Sequence, residues 1–269
     1  MPSEITHSTH IDPEPHDRVP SALRYDKNLL FINNLAIKVA GLLLGTIVSR
    51  PPAATDLAAA RGGQGRMSIT LHRGDLPPDI ALGDLVAVDT ETMGLNPLRD
   101  RLCLVQLSAG DGSCHAVQIP PPPHRAPNLA RLLGDPGVTK LFHFARFDVA
   151  TIARHLGVDC RPVYCTKIAS RLTRTFTDRH GLKDLCRDLI GVELSKQQQS
   201  SDWGASELTP EQLRYAADDV LHLHKLKARL DAMLAREGRT ALAEACFAFL
   251  PTRAALDLAG WPDFDIFAH

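Results

Sequence analysis

The sequence predicts an α/β domain in which a mixed central sheet is flanked by helices. Three observations carry this expectation. Short apolar runs follow one another between residues 85 and 119, separated by turn-type connections. Strand-like and helix-like segments then alternate as far as residue 166, and from residue 167 onward the periodicity is helical. With 269 residues, 44% of them hydrophobic, the chain is long and apolar enough to build the core of such a domain.

The first 66 residues differ in character. Residues 1–27 hold Pro2, Pro13, Pro15 and Pro20 among histidines and charges, a composition that cannot bury a core. Leu29 to Val48 is largely apolar, but Asn33, Asn34 and Lys38 interrupt it. Carrying them into a bilayer would cost on the order of several kcal/mol. Pro51 to Arg66, rich in Ala, Gly and Arg, reads as a linker. Met67 directly precedes the first periodic segment, with no other methionine between Met1 and Met93. The folded domain is therefore expected over residues 67–269. Residues 1–66 are read as an extension: upstream of a true start at Met67, a soluble tail, or a membrane anchor.

Leu85-Val-Ala-Val-Asp-Thr90 is an apolar run ending in polar residues, a buried strand. Asn96-Pro97 marks a turn. Leu102–Leu107 and Cys114–Ile119 read as two more strands, joined by Ala-Gly-Asp-Gly-Ser as a hairpin, and prolines 120 to 123 end that unit. A short helix is expected over Asn128–Leu133, then a strand at Lys140–His143, a helix over Phe147–Leu156 and a brief strand at Val163–Thr166. Helices are expected over Lys167–Leu172, Leu182–Ile190, Pro210–Leu234 as one long element, and Arg239 to about Leu256.

Charge narrows the function. Thirty basic residues stand against 31 acidic ones, a net charge of −1. A protein gripping long nucleic acid through many phosphates carries a basic excess, so any such contact here is local or short. The six cysteines form no CxxC pair and sit near no histidine pair of ligand spacing, which predicts reduced, mostly buried thiols in the cytoplasm.

The chemistry lies in scattered carboxylates. Asp89 and Glu91 close an apolar strand at i and i+2, so both side chains share one face and can hold one cation. Asp148 follows an apolar strand, in the first turn of a helix, where the helix dipole alone also favours an acid. Tyr215 and Asp219 are four apart on one helix face, whereas Asp218 is turned about 100° away and reads as a solvated neighbour. Four converging carboxylates repel one another unless cations neutralise them. Oxygen-only donors select Mg²⁺ or Mn²⁺ over zinc, and two such ions can activate water and stabilise the leaving oxygen of a phosphodiester. Tyr215 would orient that water.

Asp89-x-Glu91, Asp148 and Tyr215-x-x-x-Asp219 resemble the three motifs of the DEDDy branch of the ribonuclease D-like 3′-5′ exonuclease superfamily. The stretch from Gly181-Leu-Lys-Asp-Leu185 through Ser201-Asp-Trp203 to Gln212–Val220 resembles it as well. Asp89–Pro97, Thr173–Gly181, Ser195–Trp203, Phe249–Arg253 and the ending Asp265-Ile-Phe-Ala-His269 are similar to the nano-RNase C family. That similarity runs from Met67 to the C-terminus and leaves residues 1–66 without a counterpart.

The resemblance implies an RNase H-like exonuclease fold, two divalent cations on Asp89, Glu91, Asp148 and Asp219, and Tyr215 as the fifth catalytic residue. It implies hydrolysis of 5′-phosphorylated dinucleotides, including linear di-GMP, and a ring-like homo-octamer with no other stable protein partner and no membrane. Leu95 matches the leucine that wedges between two bases in short-RNA exonucleases, against a plain reading as a turn-anchoring core residue. Thr92, His143 and Phe144 join it as substrate-binding candidates. Seven basic residues and two acidic ones lie between residues 161 and 187. Among these Arg174, Arg179, His180 or Lys183, with the segment from Ser195 to Ser201, is expected to hold the 5′ phosphate, against a solvated face or a subunit contact. A broader exonuclease on structured RNA or DNA, and a non-catalytic nucleic-acid-binding scaffold, are the competing readings.

Overall fold

The computed structural model describes residues 67–195 and 201–268. The expectations placed on residues 1–66 lie outside the described residues. Six strands form one mixed sheet in the order β1-β4-β3-β2-β5-β6. They are β1 (Ser68–Arg73), β2 (Leu85–Thr92), β3 (Leu102–Ser108), β4 (Ser113–Gln118), β5 (Thr139–Phe142) and β6 (Val163–Cys165). β2, β3 and β4 run antiparallel as a meander, while β5 and β6 add in parallel to the other side of β2. β1 joins the far edge, parallel to β4. No strand was expected there: Ser-Ile-Thr-Leu-His-Arg offers only two apolar residues, as an edge strand needs only one covered face.

The central strands are apolar because both faces are covered. Val86, Ala87 and Val88 of β2 are fully buried, as are Leu104, Val105 and Leu107 of β3. Truncating one of these leucines to alanine would cost roughly 2–5 kcal/mol. The helices are α1 (Pro127–Gly134), α2 (Ala145–Leu156), α3 (Thr166–Thr173), α4 (Leu182–Leu185), α5 (Pro210–Leu221), α6 (Leu223–Arg236) and α7 (Thr240–Leu258). α4 continues into a π-helical turn, Cys186–Ile190, so that expected helix is not uniformly α-helical.

The single long helix expected over residues 210–234 is broken at His222. Each half serves a different surface. α5 lies over the sheet, with Ala216 and Tyr215 packed against Leu104 and Ala116, whereas α6 packs along α3. One straight helix could not reach both. The start of α5 was well marked: the Thr209 hydroxyl accepts from the Gln212 N–H at 3.2 Å, the Gln212 amide oxygen accepts from the Thr209 N–H at 2.9 Å, and Pro210 opens the helix.

α7 packs along α2, tied by Arg146, whose guanidinium donates to both carboxylate oxygens of Asp257 at 2.6 and 2.7 Å. All six cysteines are unpaired, and five are buried. Among the described residues no helix is long and apolar enough to cross a membrane.

Candidate active site

Three elements bring the carboxylates together. Asp89 and Glu91 leave β2 on one face near its C-terminal end, where the register with β3 shifts between Glu91 and Thr92. The Thr92 hydroxyl then donates to the Gly94 carbonyl and tightens the turn. A Cβ on Gly94 would come within 2.3 Å of the Asp100 carboxylate, so a larger residue here would force that side chain to shift. Leu95 follows, 87% exposed, and anchors no core.

The second element is α2. Phe144 holds a left-handed backbone (φ 69°) immediately before it, a conformation that costs a non-glycine residue on the order of 1 kcal/mol. The sharp entry sets Asp148 in the first turn, buried, where the Thr90 hydroxyl donates to its Oδ1 at 2.7 Å. α5 supplies the third element, Tyr215 and Asp219 one turn apart. Trp203 braces the Tyr215 ring at 6.1 Å between centroids.

Ligand oxygens of Asp89, Glu91 and Asp219 lie within 4.8 Å of one another, and Asp148 stands beside them. Burial, then the charges of Asp148, Asp219 and Glu91, pushes the Asp89 carboxyl well above the usual range. Burial and the neighbouring acids push Glu91 up to about 9. Burial takes Asp148 up to about 7 against the pull of the Thr90 hydrogen bond, and burial with Asp218 takes Asp219 up to about 7. Asp218 is thus half-buried and presses on Asp219, rather than being a simple solvated neighbour. Among the described residues no lysine or arginine forms an ion pair with any of the four carboxylates. With Asp148 buried and the other three half-buried, all-oxygen and uncompensated, this donor set fits hard divalent cations. The Tyr215 hydroxyl is also raised by burial and by the nearby acids, so it stays a neutral phenol.

A cleft of about 710 Å³ opens over this cluster. It is lined by Asp89, Glu91, Asp148, Tyr215 and Asp219, and by Thr92, Leu95, His143, Phe144 and Lys183 from the binding candidates. Arg174, Arg179 and His180 do not line it. The Arg174 guanidinium is buried against Asp188 at 2.5 Å and donates to the Arg179 carbonyl, so it braces its own loop. His180 Nδ1 meets the Ser170 hydroxyl at 2.9 Å. Ser195 and Ser201 bound the cleft, and residues 196–200 between them lie outside the described residues. His143 is held neutral, down to about 3, by burial and by Lys167.

Sequence reasoning missed Thr90, Trp203 and Lys167. Strict strand alternation points Thr90 away from its acidic neighbours, and only the approach of α2 shows that it reaches Asp148. Lys167 counted merely as one of seven basic residues. In the fold it lines the cleft, with Nζ 4.1 Å from the centroid of the Phe144 ring.

The 3′-5′ exonuclease family model matches residues 79–235. Ribonuclease D of Granulibacter bethesdensis is 35% identical over 158 residues, 58% of this chain and 39% of that protein. The chain thus spans about two fifths of the ribonuclease D relatives that it matches. Two structures of NrnC (nano-RNase C) of Brucella melitensis, one bound to pGG and one with bound Mg²⁺, superpose with a TM-score of 0.73. Both are 58% identical and cover 76% of this chain and 100% of theirs. With the motifs on the expected elements, the chain belongs to the 3′-5′ exonuclease family, in its ribonuclease D-like superfamily and the nano-RNase C branch within it.

Proposed function

We propose that the protein is a metal-dependent 3′-5′ exoribonuclease that hydrolyses short oligoribonucleotides, 5′-phosphorylated dinucleotides above all, to mononucleotides. The observation that carries this reading is the convergence of Asp89, Glu91, Asp148 and Asp219 with Tyr215 at the floor of one cleft. Asp89, Glu91, Asp148 and Asp219 would hold two divalent cations, which would supply Lewis acidity toward the scissile phosphate and its attacking water. The neutral Tyr215 hydroxyl orients that water by hydrogen bonding, braced by Trp203. Water oxygen joins phosphorus, the bond from phosphorus to the neighbouring 3′ oxygen breaks, and that oxygen takes a proton.

Short substrates are supported by the rest of the cleft. Leu95 and Phe144 present exposed apolar surface where two bases would part. Lys167 and Lys183 are the lysines and arginines lining the cleft among the described residues, and neither has a carboxylate partner there. Among the described residues they are the cations available to a terminal phosphate: Lys183 was one of the four candidates read from the sequence, whereas the other three, Arg174, Arg179 and His180, do not line the cleft. The related NrnC bound to pGG supports the same substrate class. Five buried, unpaired cysteines suit a reducing cytoplasm. The homo-octamer remains part of the proposal: Trp261, Phe264 and Phe267 expose apolar surface near the C-terminus, and light scattering on the native protein measures its mass.

The deciding experiment measures turnover of 5′-phosphorylated RNA two, three, five and seven nucleotides long, with Mg²⁺ or Mn²⁺ and an Asp89→Ala control. A steep preference for the dinucleotide, absent in the control, supports the reading. Equal rates at all lengths make the protein a general exonuclease. Lys167→Ala and Lys183→Ala are expected to raise KM for 5′-phosphorylated but not 5′-hydroxyl dinucleotide.

A further inference from the structure

Gln106 is fully buried in the middle of β3, and neither its amide nitrogen nor its amide oxygen has a hydrogen-bond partner among the described residues. An unpaired buried amide is destabilising, and a core chosen for packing alone would place an apolar side chain there. Its position supplies the reason. Gln106 is the direct antiparallel partner of Asp89, so the two side chains leave the sheet on one face, with Cβ atoms roughly 4.5–5.5 Å apart. The flanking pairs on that face, Ala87 with Ser108 and Glu91 with Leu104, offer Asp89 no second amide, and the Ser108 hydroxyl is spent on the Ser113 carbonyl at 2.6 Å. α5, which carries Asp219, covers this layer.

We propose that Gln106 is a positioning residue whose amide N–H donates to the Asp89 carboxylate when that carboxylate holds a divalent cation. The carboxylate oxygen not facing the cation needs a donor, and outer partners of this kind fix ligand orientation in metal sites. The proposal rests on the metal reading of the four carboxylates.

The test replaces Gln106 with apolar side chains of similar size, Gln106→Met and Gln106→Leu, and measures melting temperature in EDTA and Mn²⁺ affinity by calorimetry. In EDTA both variants melt at or above the wild-type temperature, because a buried unpaired amide is gone. Their Mn²⁺ affinity falls about tenfold or more, and kcat falls with it. Unchanged Mn²⁺ affinity in both variants overturns the proposal. So does a lower melting temperature in EDTA, or failure to fold, in both, since that marks a purely structural amide. Wild-type protein that binds no Mn²⁺ overturns the metal reading, and this one with it.

Discussion

Asp219→Asn separates what the active site costs the fold from what it contributes to catalysis. The Asp219 carboxyl titrates near 7 in the folded chain against an ordinary 3.8, because it is buried and faces Asp218 and Asp148. The folded state therefore holds this proton to higher pH than the unfolded chain does. Its contribution to stability is fully present below about pH 4 and is lost as pH rises toward 7. Above pH 7 in metal-free protein, the ionised group opposes folding by about 4 kcal/mol. Asparagine keeps the shape and carries no charge, so the variant escapes that loss. Melting is compared in EDTA at pH 4.5 and pH 8. At pH 4.5 the two proteins differ by about 1 kcal/mol or less. At pH 8 the variant melts higher, by about 10 °C for a domain of this size. Saturating Mn²⁺ should reverse the order, because only the wild type keeps all four of the proposed ligands, and mass action then favours it. A variant no more stable than wild type in EDTA at pH 8 would refute the electrostatic account.

Tyr215→Phe removes only a hydroxyl: kcat should fall about a hundredfold or more, about 3 kcal/mol of barrier, with KM and Mn²⁺ affinity unchanged in steady-state and calorimetric measurements. Thr90→Val deletes the buried donor to Asp148 without changing shape, and Mn²⁺ affinity by calorimetry should fall roughly tenfold to a hundredfold. Leu95 is exposed, so Leu95→Ala should leave the melting curve within about 0.5 kcal/mol of wild type. The same change should raise the dinucleotide KM by roughly tenfold or more, as lost burial of a leucine side chain against the bases predicts.

What could be read early follows from local rules. The β2 strand was legible because burial on both faces demands a run such as Leu-Val-Ala-Val, and its polar end stood out against that run. The start of α5 was legible at Pro210, whose missing N–H is no loss in a first helical turn, and the reciprocal Thr209–Gln212 bonds hold it there. β1 was not legible: its pairing with β4 depends on a partner more than 40 residues away, and its own residues are mostly polar. The break at His222 was equally hidden, since the helical pattern continues through it and only the two packing surfaces demand the bend.

The candidate site divides in the same way. The sequence by itself determined the chemistry: two acids on one strand face, an acid at a helix start, and a tyrosine and acid one helical turn apart, all set by the fixed periods of strand and helix. Tertiary structure alone decided the partners. Thr90 reaches Asp148, Gln106 stands across from Asp89, and Lys167 sits on Phe144 in the cleft, while Arg174 turns away to Asp188. Each of those contacts joins segments that no local period relates. Which basic residue meets the substrate and which one braces a loop depends on where the chain folds back, and residue type does not carry that information.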